Sequence, residues 1–210
     1  LQAMDSPYAD YRNKALTLAK GIEGKKATWR WIEKCKTTAP EVKAEILAFL
    51  GNRGDAIALP TLLEALNDAD PNVKMAAVEA SFRLGGLESV PFYSDLLRTE
   101  DQAVIDKVKE TLLQVSGDYL LTTISYILPT VSSPGKVALL DIIGERKADL
   151  FYADVYDYTG DENSTIRMAA IRALRNVAGP DSMGDLIRLL EKSSGNEANA
   201  TEKAIGAVIS

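Results

Sequence analysis

A 31-residue period constrains this chain more than any other feature. Its clearest copy is Asp70-Pro71-Asn72-Val73-Lys74-Met75-Ala76-Ala77-Val78-Glu79-Ala80-Ser81-Phe82-Arg83-Leu84-Gly85-Gly86. The aspartate can cap a helix and the proline can open it. Apolar residues then recur at three- and four-residue intervals, and two glycines close the run. Steps of 31 carry the anchor Val73 to Val42 and Tyr11 in one direction, and to Val104, Gly135 and Ile166 in the other. A last copy fits with its anchor at Ala200, three residues late, the slack taken by Ser193-Ser194-Gly195-Asn196. The residue after the anchor is basic in five of the seven copies: Arg12, Lys43, Lys74, Lys136 and Arg167.

Positions 0, 4, 8 and 11 after each anchor fall in one sector of a helix with 3.6 residues per turn, so each copy predicts an apolar stripe. A second stripe recurs at offsets 20, 21 and 24, as in Trp31/Ile32/Cys35, Leu62/Leu63/Leu66 and Tyr93/Ser94/Leu97. Pro60 and Pro91 stand in equivalent places two residues before it, where a proline is expected to bend the helix rather than abolish it. No stretch alternates with period two, so strands are not expected. The expected fold is all-α: an α-solenoid of about six 31-residue antiparallel helix pairs. A lone helix at 5–20 precedes pairs at 26–53, 56–84, 87–115, 118–146, 149–177 and 181–210. These make a single repeat domain, 1–210, because each unit of a solenoid packs only on its neighbours. The fourth pair departs from pattern: Pro129 should end its first helix early, and Gly135 stands where an aliphatic anchor belongs. A chain that starts at Leu1 and stops inside an apparent helix reads as part of something longer.

The phrase Asp70-Pro71-Asn72-Val73-Lys74-Met75-Ala76-Ala77, echoed by Ile166-Arg167-Met168-Ala169-Ala170-Ile171-Arg172-Ala173-Leu174, resembles the HEAT-like repeats of the phycobilisome-lyase type. Those repeats are two short antiparallel helices in about thirty residues, shorter than ordinary HEAT units. The resemblance runs along essentially the whole chain and implies a fold, with the second helices lining a concave face. It implies little about function. Bilin lyases and isomerases use such repeats to hold a tetrapyrrole, and alkyl-base DNA glycosylases use a basic concave groove; both activities stand as rivals to be weighed.

The chain contains no histidine, which removes imidazole bases, His-ligated zinc and the usual nucleophilic triads. It also separates the sequence from HEAT-repeat hydroxylases that hold iron on His-Glu motifs. The single cysteine, Cys35, lies on an apolar stripe and is expected as a buried thiol. Asp157-Tyr158-Thr159-Gly160-Asp161-Glu162-Asn163 has alternating oxygen ligands, but its glycine and glutamate positions do not fit a calcium loop. A helix end and capping turn explain it more simply. Ser133-Pro134-Gly135-Lys136 lacks the upstream glycine and the preceding strand of a phosphate loop. With 30 acidic and 24 basic residues the net charge is −6, which argues against a general binder of phosphate backbones. No run of 18 apolar residues predicts a membrane span.

What remains is a surface. The second-helix positions facing away from the stripe are Glu45, Asn52, Met75, Glu79, Arg83, Asp106, Lys107, Glu110, Gln114, Asp141, Glu145, Met168, Arg172 and Asn176, with Ala48 between them. The row is mixed in sign and its methionines offer adaptable contacts. Phe151 and Tyr158, off the stripe of an aromatic-acidic helix, form a second candidate patch for a neighbouring domain. The expected function is therefore a non-catalytic scaffold for a protein partner or another domain of its own chain, monomeric as isolated, with no cofactor, metal, nucleic acid or membrane. A bilin-handling enzyme and a spacer or regulatory module of a larger bacterial enzyme are the alternatives. The compartment stays open between cytoplasm and periplasm.

Overall fold

The structure, a computed structural model, describes residues 1–117 and 119–209, the Tyr119 side chain excepted. A 3₁₀ turn at Gln2–Asp5 precedes twelve α-helices among the described residues: α1 Ala9–Ala19, α2 Lys25–Cys35, α3 Pro40–Arg53, α4 Leu59–Glu64, α5 Pro71–Gly85, α6 Gln102–Leu113, α7 Tyr119–Ile127, α8 Ser133–Glu145, α9 Tyr152–Asp157, α10 Ser164–Val177, α11 Met183–Lys192 and α12 Gly195–Ile209. No strand occurs among them. After α1, first and second members of stacked pairs alternate, the first member between α5 and α6 being 3₁₀ rather than α, in the all-α solenoid pattern that the period predicts. The chain divides into two compact units, Leu1–Leu96 with Asp101–Val115, and Leu97–Glu100 with the residues from Ser116 on.

Local chemistry sets the starts of the second helices. Asp70 Oδ1 accepts from the backbone N–H groups of Asn72 (2.8 Å) and Val73 (3.3 Å), and Pro71 opens α5 where its missing N–H costs nothing. Asp101 caps α6 in the same way, at 3.1 and 3.2 Å, as its position predicts. The Ser132 hydroxyl accepts from Gly135 N–H at 3.2 Å, and Asn163 Oδ1 from Thr165 N–H at 2.9 Å. Gly54, at φ 75°, ends α3 in the left-handed conformation.

The first helices are less regular than the stripe suggests. Pro60 sits at the start of α4, where helix is tolerated. Pro91 lies deep in the segment Gly86–Tyr93, which is entirely 3₁₀. The expectation that this proline would only bend an α-helix is therefore wrong. A proline cannot donate to the carbonyl four residues back, and the segment opens on a glycine at φ 55°, so the chain tightens to the shorter pattern. Pro129 acts as expected: α7 stops at Ile127 and a 3₁₀ turn, Leu128–Thr130, follows.

The stripes form the cores of the two units. Ile46, Leu50, Leu66, Val73, Ala77, Val104, Val108 and Leu112 are buried in the first, and Leu139, Ile143, Ile166, Ala170 and Leu174 in the second. One copy is out of register. Tyr11, the expected anchor of α1, is 58% exposed, and Arg12, Leu16 and Ala19 face inward instead. Carboxylates on α3 draw the guanidinium in: Arg12 donates to Glu45 through Nε and Nη2, both at 2.8 Å, to Glu41 at 2.5 Å, and to the Ser6 carbonyl at 2.9 Å.

Two devices recur in both units. Lys43 meets Asp68 at 2.5 Å, and Lys136 meets Asp161 at 3.8 Å, so the basic residue after the anchor ties its helix to the turn before the next second helix. Gly51 lets α3 lie against Ala80 of α5, and Gly144 lets α8 lie against Ala173 of α10. A Cβ on Gly51 would stand 2.7 Å from Ala80 Cα, and one on Gly144 would stand 2.9 Å from Ala173 Cα. Gly135, the missing aliphatic anchor, has a third reason of this kind: any side chain there would collide with the carbonyl oxygen of Leu97. That same oxygen accepts from Ser132 N–H (3.1 Å) and hydroxyl (3.0 Å).

The third pair also buries a polar knot. The Tyr93 hydroxyl donates to Val78 O and lies 3.1 Å from Ser81 Oγ, while Ser89 Oγ donates to Ser81 O at 2.8 Å. Serine and tyrosine on facing stripes thus satisfy each other, and burial pushes the Tyr93 hydroxyl up to about 12.

Candidate interaction surface

The second helices are held rigidly by caps and close packing, and their outward faces carry the predicted polar row. In the first unit this row is wired to itself. Arg83 donates to Asn52 from the helix before and to Glu79 at 2.8 Å. Lys107 lies 3.9 Å from Glu79 and 2.7 Å from Glu110. Gln102 donates to Asp106 at 2.7 Å, and Gln114 Nε2 reaches the Glu110 carbonyl at 3.5 Å. Asn52, Glu79, Arg83, Asp106, Glu110 and Gln114 are exposed, whereas Met75 and Lys107 are half-buried. Glu45 does not join this face. Its carboxylate is 18% exposed and committed to Arg12, because α1 packs over the position that the repeat offset marks as outward.

In the second unit Asp141 and Arg172, one repeat apart, pair at 3.2 Å, and Glu145 is exposed. Beyond them α10 and α12 enclose a cleft of about 580 Å³. Met168, Arg172, Arg175 and Asn176 line it from α10, and Asn196, Asn199, Ala200 and Lys203 from α12. The row predicts Met168, Arg172 and Asn176. Lys203 could have been found by extending the outward offsets to the last, displaced copy. Arg175 could not: its offset from the anchor is that of Gly51 and Gly144, which are packed against a neighbouring helix.

The aromatic-acidic helix is short, Tyr152–Asp157, with Phe151 and Tyr158 just outside its two ends. Phe151 and Tyr158 are both half-buried, and the Lys136 ammonium lies 5.5 Å from the Tyr158 ring centroid. Burial, with Asp161, Asp154 and Asp157 nearby, raises the Tyr158 hydroxyl. Tyr152 and Tyr156 are half-buried as well. They stack at 5.8 Å, and their hydroxyls reach Asp185. Other apolar side chains are more exposed: Leu150 at 91%, Tyr126 at 84%, and a group along α1 and its two flanks comprising Tyr8, Tyr11, Leu18 and Ile22, with Trp29 on α2. The sequence hid that group because the repeat register assigned Tyr11 to the core.

Cys35 is buried, and burial pushes its thiol up to about 11, which makes it a poor nucleophile. In the Asp157–Asn163 segment, Asp161 Oδ1 accepts from Asn163 N–H at 2.8 Å and the Asp161 carbonyl accepts from Arg167 at 3.0 Å, so these oxygens shape a turn. Among the described residues no three Cys, Asp or Glu side chains gather as metal ligands, and no helix is long and apolar enough to cross a membrane.

Residues 30–112 match the family profile for HEAT repeats. No curated protein matches the sequence. Among solved structures, the chain is similar to human deoxyhypusine hydroxylase in complex with glycerol (16% identity, 99% of this chain and 94% of that one, TM-score 0.45). It is also similar to an engineered protein (15%, 86% and 95%, TM-score 0.49). A third is the complex of CpcE and CpcF of phycocyanin lyase from Nostoc sp. (16%, 99% and 92%, TM-score 0.47). Likenesses this distant say nothing of this chain's activity. The profile match identifies HEAT repeats across residues 30–112, and paired helices continue on either side of that stretch.

Proposed function

We propose that this chain is a non-catalytic interaction module that binds a protein, or another domain of its own polypeptide, along the exposed faces of its second helices. The observation that carries the reading is the polar row itself. It stands on helices fixed by capping and close packing, and within it Arg83 pairs with Glu79, Lys107 with Glu79 and Glu110, and Arg172 with Asp141. A rigid, preordered face loses little entropy on binding, and interchangeable ion pairs on it favour selectivity over raw affinity. The thiol is buried with its pKa raised, and the chain lacks imidazole, so nucleophilic and acid-base roles find no support.

The test is partner capture on the immobilised protein, beside a variant with Glu79→Lys, Arg83→Glu, Glu110→Lys and Arg172→Glu. A protein retained by the parent and released by the folded variant is the expected result. Retention of the same set by both would remove these faces from consideration. A bilin titration that leaves the chromophore's absorbance unchanged is the expected companion result.

A further inference from the structure

The two units present different electrostatics on the same kind of face. In the first, Arg83 and Lys107 each have carboxylate partners within the row. In the second, the α10–α12 cleft is lined by Arg172, Arg175 and Lys203 and by no carboxylate. Arg172 is shared with Asp141, but among the described residues Arg175 and Lys203 form no ion pair. Glu197, on the first turn of α12, is held by Arg167 at 2.8 Å. A chain of net charge −6 therefore gathers uncompensated positive charge at one concave place.

We infer that this cleft is the docking site for an acidic segment of a protein partner, bound in extended form. This deepens the interaction-surface reading above and rests on it. The arginines and the lysine would take glutamate or aspartate side chains through charge-assisted hydrogen bonds. The side-chain amides of Asn176, Asn196 and Asn199, which bond to no described residue, each present a donor and an acceptor edge, the complement of a peptide bond. Met168 supplies an adaptable apolar floor. The volume of about 580 Å³ accommodates side chains with their flanking backbone. A nucleic acid is the poorer fit: the cations are few for a phosphate track, and Asp141 and Glu145 stand on the preceding helix of the same unit.

The experiment is fluorescence anisotropy with a fluorescein-labelled peptide of alternating glutamate and serine, its lysine-serine counterpart and a single-stranded DNA oligonucleotide. Parent, Arg175→Glu/Lys203→Glu and Arg175→Gln/Lys203→Gln proteins are compared, each checked for parental helicity. The expected result is binding of the glutamate peptide that weakens with salt, falls by about tenfold or more on charge reversal and by less on neutralisation. The reversed protein should gain affinity for the lysine peptide. No binding of the glutamate peptide by the parent, equal binding by all three proteins, or tighter binding of the DNA would overturn the inference. Partner capture separates the two failures. If the parent ignores the glutamate peptide yet retains a protein that the four-residue variant releases, the surface reading stands and the acidic-segment inference falls. If nothing depends on either set of residues, both fall.

Discussion

Replacing Gly51 by alanine inserts a methyl group between α3 and α5. It would lie 2.7 Å from both Ala80 Cα and Cβ and 3.1 Å from the Ala80 carbonyl oxygen. Carbon atoms prefer to sit about 3.5–4.0 Å apart, so the two helix backbones must separate. Overpacking of this kind costs about 1–3 kcal/mol. The obstruction is backbone rather than a flexible side-chain tip, which places Gly51 in the upper part of that range. Against it stands the helix propensity of alanine over glycine, worth about 1 kcal/mol. The net expectation is a destabilisation of about 1–2 kcal/mol. Gly206, inside α12, has nothing within 4 Å of a built Cβ, so Gly206→Ala should stabilise by up to about 1 kcal/mol. Gly144→Ala, at 2.9 and 3.1 Å from Ala173, should fall between them. The assay is urea unfolding followed by circular dichroism, with amide exchange in α3 and α5 as the local readout. If Gly51→Ala raises the midpoint as Gly206→Ala does, close helix contact is not what the glycine is for.

Other expectations follow from single contacts. Burial raises Asp68, but the Lys43 ammonium and the Asp70 N–H outweigh it and hold the carboxyl below its ordinary value. Its contribution is therefore present above the unfolded carboxylate pKa and lost as pH falls through the folded one; Asp68→Asn should flatten that acid limb in a series of unfolding midpoints against pH. Cys35, with its thiol near 11, should react with a thiol reagent at neutral pH only as fast as the first unit opens, and rapidly in denaturant. Native reaction at the denatured rate would contradict its burial. Tyr93→Phe removes the hydroxyl's bonds to Val78 O and Ser81 Oγ, which keep their own bond at 3.2 Å, and should cost about 0.5–1.5 kcal/mol by chemical denaturation; a neutral outcome would mean that the knot is not formed.

The sequence alone determined what depends on neighbours along the chain. Helix starts at Asp70 and Asp101 follow from side chains that reach N–H groups two and three residues on, and the core stripes follow from a period of 3.6. The outward row was legible for the same reason, so Met168, Arg172 and Asn176 fell where their offsets put them. Tertiary structure decided whatever depends on the partner across a helix gap. Arg12 rather than Tyr11 faces the core because Glu41 and Glu45 arrive from another helix, and that contact withdraws Glu45 from the surface. The Gly86–Tyr93 segment became 3₁₀ where an equivalent proline was tolerated at the start of α4. The charges of the first row neutralise one another only because successive helices stack one repeat apart. The cleft exists only because the break at Ser193 and Ser194 returns α12 alongside α10, setting Lys203 and two asparagines opposite Arg175. Periodicity assigns a residue to a face of its own helix; what that face meets is set by packing.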